Sequence, residues 1–160
     1  MSDTPNFAQL LGPFIEPIPE AARPAFLARL ERTAAERYRL WAGQAVALAD
    51  GLLACAARED EIADRVERLL GANAADREKI ESSLEGARDT YYAVFAGKPL
   101  REQLRIQANA ERQGANAWRL LAATLGDDTL SAELEVCAAL EEQSAAHLEG
   151  LLADPIAPLD

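Results

Sequence analysis

Apolar residues recur three or four positions apart along most of the chain, with charged residues between them. This spacing gathers the apolar residues on one face of a helix, which is typical of a helix packed against a core. Proline and glycine mark the places where the pattern stops and restarts. The pattern predicts four long helices, and a fifth helix that connects the second to the third. The long helices cover residues 24–43, 48–70, 99–125 and 129–154, and the connecting helix covers 76–96, with Asn73 or Asp76 as its N-cap.

Two stretches of the sequence occur twice, about 80 residues apart. Residues 55–70 agree with residues 137–152 at half of the aligned positions, and residues 27–42 share a similar pattern with residues 107–122. A period this long, with two helical segments in each copy, predicts a duplicated helical hairpin. Gly126 lies at the turn position that this symmetry requires in the second copy.

The first 23 residues differ from the rest because they contain four prolines among apolar side chains. Prolines at this density exclude a long helix, yet the apolar side chains favour burial. We interpret the segment as an arm that packs either on the bundle or on a second subunit. The predicted organisation is therefore an N-terminal arm (1–23), hairpin 1 (24–71), a crossover helix (72–98), hairpin 2 (99–153) and a C-terminal tail (154–160).

The composition indicates an all-α protein of one domain, because alanine and leucine dominate the apolar residues and aromatic residues make up only 6%. A formal net charge of −11 disfavours binding to nucleic acid or to an anionic membrane. The sequence shows neither a secretory signal pattern nor a long apolar run, so we expect a cytoplasmic protein. Cys55 and Cys137 are expected to be reduced and buried.

Each of the four long helices carries one glutamate inside its apolar stripe: Glu31, Glu59, Glu111 and Glu141. A buried carboxylate is costly unless it is paired, protonated or bound to a cation, and four carboxylates at one level also repel one another. The glutamates that fall off the stripes are expected at the surface. They are Glu36, Glu61, Glu67, Glu142 and Glu149.

Several side chains could compensate the four acids. Gln107, one turn before Glu111, could donate a hydrogen bond to it, and Tyr38 could donate to Glu31 or to a neighbouring acid. Shared protons could raise the carboxyl pKa values. The sequence also allows three arginines at the stripe edges to turn inward, namely Arg37, Arg58 and Arg65.

With these residues, the chain resembles the ferritin-like superfamily over residues 24–153, and the rubrerythrins most of all. Those proteins pair a helix bearing Glu with a helix bearing Glu-x-x-His, twice, around two metal ions. Glu31 with Tyr38 matches the pattern of the first helix, and Glu111 with Trp118 matches that of the third. The resemblance implies an all-α, ferritin-like four-helix bundle of two pseudo-symmetric hairpins joined by a helical crossover, and it implies a homodimer.

The chain departs from that family at both metal-site histidines. The two Glu-x-x-His motifs align with residues 59–62 and 141–144, which end in Ile62 and Ser144. Ile62 has no donor atom, and Ser144 offers a weak neutral oxygen. An all-oxygen site suits manganese, magnesium or calcium better than zinc or copper. His147 lies at the edge of its stripe and is interpreted as structural.

The resemblance implies a candidate metal site made of two sets of residues, the metal ligands and the side chains that surround them. The candidate metal ligands are Glu31, Glu59, Glu111 and Glu141, and the side chains around them are Tyr38, Gln107, Trp118 and Ser144. Four carboxylates would balance two divalent cations.

The sequence favours a non-catalytic, structural or interaction role in which the acids persist as a polar core without a cofactor. The alternative is an oxidoreductase or metal-handling protein with a dinuclear iron or manganese site. A third possibility is a small-ligand binder that uses the space left by the missing ligands. None of these functions involves nucleic acid or a membrane, and the identity of a protein partner stays open.

Overall fold

The computed structural model describes residues 4–159, which contain six α-helices and no strand. This confirms the prediction of an all-α protein. The helices are α1 (Phe7–Ile15), α2 (Arg23–Gln44), α3 (Ala49–Leu69), α4 (Ala74–Ala93), α5 (Leu100–Leu125) and α6 (Asp128–Ala153). Short 3-10 turns at Glu20–Ala22 and Val46–Leu48 precede α2 and α3.

The helix ends follow from local capping chemistry. The Asn73 side chain accepts a hydrogen bond from the Asp76 backbone at 2.8 Å, so Asn73 is the N-cap of α4. Gly126 ends α5 with a φ of 66°, a left-handed conformation that glycine adopts without steric cost. Asp127 then caps α6 by accepting from the Leu130 backbone at 3.0 Å.

The helices pack as two hairpins that meet along α3 and α6. Helix α2 packs along α3, α5 packs along α6, and α3 also contacts α6. Side-chain contacts show that α3 and α6 run antiparallel, since Arg58 contacts Ser144 whereas Arg65, farther along α3, contacts Glu133, which lies earlier in α6. Helices α2 and α5 are joined by the hydrogen bond from Tyr38 to Glu111.

The apolar core is divided into separate clusters. One cluster contains Trp41, Leu52 and Phe95, and a second contains Ile62 and Trp118, on the other side of the predicted glutamate level. A third cluster joins α2 to α4 and to the segment around α1. Burial of these side chains provides the main favourable free energy of folding.

The described part of the N-terminal arm, residues 4–23, packs on its own chain. Phe7 is buried, and its backbone N–H donates to Gln113 Oε1 of α5 at 3.0 Å. The same amide donates from Nε2 to the Pro5 carbonyl at 2.8 Å. Phe14 lies against Gly86 of α4, where an added Cβ would come within 2.5 Å of its ring. The arm therefore packs along the side of the helices. Residues 1–3 of the arm and residue 160 of the tail lie outside the described residues.

Within the described chain, no helix combines the length and the apolar character needed to cross a bilayer. Both cysteines are free and buried, as expected.

We predict that Gly51→Ala destabilises the protein, because a Cβ at Gly51 would overlap the imidazole of His147 where α3 meets α6. The expected loss is about 1–3 kcal/mol in the free energy of unfolding, which is typical of overpacking. Urea denaturation would measure it.

Gly150→Ala in α6 is the matched control, since no atom lies within 4 Å of the position that its Cβ would take. This substitution should be neutral or stabilising by up to about 1 kcal/mol. Equal stability of the two variants would contradict this close approach of α3 and α6.

Candidate functional site

The four stripe glutamates come together in the interior, one from each of α2, α3, α5 and α6. Glu59, Glu111 and Glu141 are at most 2% exposed. Glu31 is half-buried. Carboxylate oxygens of Glu31, Glu59 and Glu141 lie within 4.8 Å of one another. We call these four residues the glutamate layer.

The glutamate layer separates the two larger apolar clusters. On α3, Cys55 and Ala56 belong to the first cluster and Ile62 belongs to the second, with Glu59 between them. On α5, Ala108 and Ala115 flank the layer in the same way. Because apolar side chains cover it on both sides, the layer is shielded from bulk water along the helix axes.

Glu111 is held by a chain of hydrogen bonds. Tyr38 Oη donates to Glu111 Oε1 at 2.5 Å, and Gln107 Nε2 donates to the same oxygen at 2.7 Å. Tyr91 Oη in turn donates to Gln107 Oε1 at 2.7 Å. Of the alternatives open for Tyr38, the structure selects Glu111 rather than Glu31, and it bears out the hydrogen bond from Gln107. Tyr38 and Gln107 both donate to Oε1, so Glu111 Oε2 has no hydrogen-bond partner.

Glu141 is positioned by Trp118 and Gly114, both on α5. Trp118 Nε1 donates to Glu141 Oε1 at 3.0 Å. A Cβ on Gly114 would lie 2.6 Å from that same oxygen. The absence of a side chain at Gly114 therefore lets the carboxylate of Glu141 approach the backbone of α5.

Burial dominates the electrostatics of the layer. It raises the pKa of Glu59 and of Glu141 well above the usual value, and the neighbouring acids raise both further. Although Glu31 keeps some exposed surface, protein atoms enclose its carboxyl group, and their desolvation raises its pKa to about 7. Glu59, Glu141 and Trp118 lie within hydrogen-bonding reach of Glu31 and limit the rise. The pKa values of Tyr38 and Tyr91 are also raised by burial, so both phenols stay protonated as donors.

The three arginines do not compensate these acids. Arg37 donates to Gln103 and stacks on Trp41, with its guanidinium carbon 5.0 Å from the ring centre. Arg65 pairs with Glu61 and Glu133 at the surface. No ion pair among the described residues joins a basic side chain to the glutamate layer. The prediction that these arginines could turn inward to pair with the four acids is therefore wrong. Their guanidinium groups bind other side chains instead.

Ser144 and His147 also take other roles. The Ser144 hydroxyl accepts from Arg58 Nε at 2.9 Å, and Arg58 also contacts the Cys55 sulfur at 3.3 Å. His147 packs against Gly51 of α3, and burial together with Arg58 lowers its pKa. Six residues separate it from Glu141, which corresponds to about 9 Å along the helix.

A cavity of about 290 Å³ opens onto the glutamate layer. Helices α1, α2 and α5 form its walls, and all four glutamates contribute to its lining. The sequence patterns did not reveal this cavity. The available signal was the run of small residues along the side of α5 that lines the cavity, because Ala110, Gly114 and Ala117 leave a gap where larger side chains would fill the space.

Comparison of the chain with known protein families, with curated proteins and with solved structures finds no match.

We predict that the metal-free protein loses stability as the pH rises from 5 to 7.5. A carboxyl group whose pKa is higher in the folded state holds its proton more tightly there, so its stabilising effect is complete below about pH 4.5 and is lost as the pH rises through the folded pKa. For Glu31, with a folded pKa of about 7, this amounts to about 2 kcal/mol over the window. Urea denaturation in the presence of a chelator would measure the slope.

The control is a pair of substitutions on α2. Glu31→Gln should flatten the pH dependence, because the amide cannot ionise, whereas Glu36→Gln on the exposed face should leave it unchanged. Stability that stays level or increases over this window would mean that the layer is already ionised and neutralised by other groups.

Proposed function

We propose that the glutamate layer binds divalent cations, with manganese(II) or iron(II) as the ions. The observation that carries this proposal is the convergence of three carboxylates, with Glu111 lining the same cavity and no basic side chain paired to the four acids among the described residues. Two oxygens of the layer, Glu59 Oε1 and Glu111 Oε2, are buried and have no hydrogen-bond donor. Unpartnered buried acceptors are costly, and a cation would satisfy them.

The donor set fits a hard cation. Glu31, Glu59 and Glu141 offer three oxygens within 4.8 Å of one another, and Glu111 faces the same space. Carboxylate oxygen suits manganese, magnesium and calcium, whereas the lack of imidazole and thiolate in the layer disfavours zinc and copper. Iron(II) is included because the ferritin-like resemblance implies it. Two divalent cations would neutralise four ionised glutamates.

The residues around the layer support this role by orienting the ligands. Tyr38 and Gln107 fix one oxygen of Glu111 and leave the other free. Trp118 fixes one oxygen of Glu141. Such outer hydrogen bonds set ligand orientation in metal sites generally. A bound iron or manganese ion would supply redox chemistry, as in an oxidoreductase or a metal-handling protein, and the cavity gives small molecules a path to the layer.

We also propose that α2, α3, α5 and α6 form a ferritin-like bundle with α4 as its crossover. Three features support it: the antiparallel contact of α3 with α6, the hairpins α2–α3 and α5–α6, and one inward glutamate on each of the four helices. In bundles of that class, metal ligands project inward from facing helices.

The second candidate is the non-catalytic role, in which the layer is a protonated polar core. The raised pKa values of Glu31, Glu59 and Glu141 favour it, because acids that keep their protons need no cation. We rank it second because a cavity exposes the layer to solutes, whereas a core that serves only packing would be expected to be filled.

Metal analysis of protein purified without chelator tests the proposal. We predict manganese or iron at up to two equivalents per chain, lost in both Glu59→Gln and Glu141→Gln, which keep the side-chain shape but remove an anionic ligand. Glu142→Gln is the matched control. Glu142 is the next residue after Glu141, but it pairs with Arg119 at the surface, so its substitution should not affect the metal content.

Thermal unfolding with added manganese(II) gives an independent readout. A cation at 100 times its dissociation constant should stabilise the folded protein by about 2.7 kcal/mol, and the effect should vanish in the two layer variants. A protein that contains no metal and gains no stability from manganese(II) or iron(II) would favour the protonated core instead.

A further inference from the structure

The cavity beside the glutamate layer is lined mainly by apolar side chains. Helix α1 contributes Phe7, Leu11 and Ile15, and α2 contributes Leu27 and Leu30. The small residues of α5 complete the lining and leave the space open. An apolar molecule in this space would remove its own surface and that of the walls from water, which is the main source of affinity in ligand pockets.

The neutral polar side chains that line the cavity are already hydrogen-bonded within the protein. Tyr91 Oη donates to Gln107 at 2.7 Å, and Trp118 Nε1 donates to Glu141 at 3.0 Å. Thr33 Oγ1 donates to a backbone carbonyl one turn earlier in α2, at 3.2 Å. A polar group on a ligand would therefore lose its hydrogen bonds with water and find few replacements, which costs free energy.

The glutamates offer a ligand little contact. Glu59, Glu111 and Glu141 are at most 2% exposed, and protein atoms enclose the carboxyl group of Glu31. The apolar walls must therefore supply most of the contact. Affinity that comes from these walls is independent of whether the glutamates hold protons or a cation.

Helix α1 supplies one of the walls while burying little of its own surface. Phe7 is its one buried residue. The Gln113 side chain holds the start of the helix by accepting from the Phe7 backbone N–H and donating to the Pro5 carbonyl, so this amide is engaged as well. Leu11 and Ile15 are only half-buried, and a molecule in the cavity would cover apolar surface that α1 leaves open.

The size of the cavity decides what kind of occupant it can take. An engineered apolar cavity of about 150 Å³ holds one benzene molecule of six carbons, so by proportion the 290 Å³ in this protein corresponds to about a dozen carbon atoms. One turn of a helix with its side chains is about 10 Å across and 5.4 Å long, and it occupies about 420 Å³. The space therefore fits a small molecule and not a helix of a partner protein.

We infer that this cavity binds an uncharged, hydrocarbon-like molecule of about a dozen carbons or fewer, held by contact with the apolar walls of α1, α2 and α5. The molecule needs no polar headgroup, because the lining offers few free partners for one. Its binding requires no metal and is separate from the proposed cation site.

Equilibrium dialysis of the full chain against naphthalene and against quinoxaline, with a chelator present at pH 7.5, tests the inference. The two probes are uncharged fused bicyclic molecules of nearly the same shape, but quinoxaline carries two ring nitrogens that accept hydrogen bonds from water. We expect naphthalene to bind with a dissociation constant below about 0.1 mM and quinoxaline to bind at least about tenfold more weakly, because its nitrogens lose those hydrogen bonds.

Two substitutions on different walls locate the binding site. Ala8→Phe narrows the cavity from α1, and Ala117→Phe narrows it from α5; both positions line the cavity and are exposed, so the fold should tolerate them. Each should weaken naphthalene binding at least about tenfold, as loss of apolar contact surface requires. Ala123→Phe is the matched control at an exposed position of α5 outside the lining, and it should leave binding unchanged.

The inference is overturned if naphthalene does not bind, if quinoxaline binds equally well, or if both cavity variants keep full affinity. None of these outcomes depends on metal, because the chelator is present throughout. Failure of the metal-binding proposal would appear in the metal analysis and would leave the result with naphthalene intact.

Discussion

The structure depends on the gathering of four carboxyl groups, three of them buried, on one level of the core. Each of α2, α3, α5 and α6 contributes one, and apolar clusters lie on both sides. Removing such groups from water costs several kcal/mol each unless they are compensated. Three features of the interior respond to that cost: the buried phenol of Tyr38, the indole of Trp118 and the missing side chain at Gly114.

The compensation inside the chain is incomplete. Neutral donors reach one oxygen of Glu111 and one of Glu141, whereas the arginines are engaged elsewhere. Arg32, for example, pairs with three acids of α3 on the outer face: Asp60, Asp64 and Glu67. The negative charge that remains requires either protons or cations. These two states correspond to the two proposed roles of the layer, a metal site and a protonated structural core, so cation binding and pH should act on it together.

The cavity suits the layer to a function beyond packing. If the layer served only as a buried polar core, large apolar residues on α1, α2 and α5 could have filled the space, which would add burial and stability. Instead, small residues on α5 and the docked arm leave about 290 Å³ beside the acids. A charged centre at the floor of an apolar pocket can hold an ion and orient a molecule next to it. Gln113 ties the arm to the wall of this cavity through the Phe7 N–H and the Pro5 carbonyl.

The sequence by itself determined the five helices after the N-terminal arm and many of the side chains that face the core, but not the short helix α1 within the arm. The spacing of apolar residues placed α2 to α6 to within a few residues, and it placed Glu59, Glu111 and Glu141 in the interior, because helix periodicity depends only on local geometry. Tertiary structure alone decided that Tyr38 donates to Glu111, that Arg58 and Arg65 contact Ser144 and Glu133, that the arm docks on its own chain, and that a cavity opens over the acids. These features depend on the axial offset and rotation of one helix against another, which are set by packing among residues distant in sequence. Helical periodicity contains no information about either quantity.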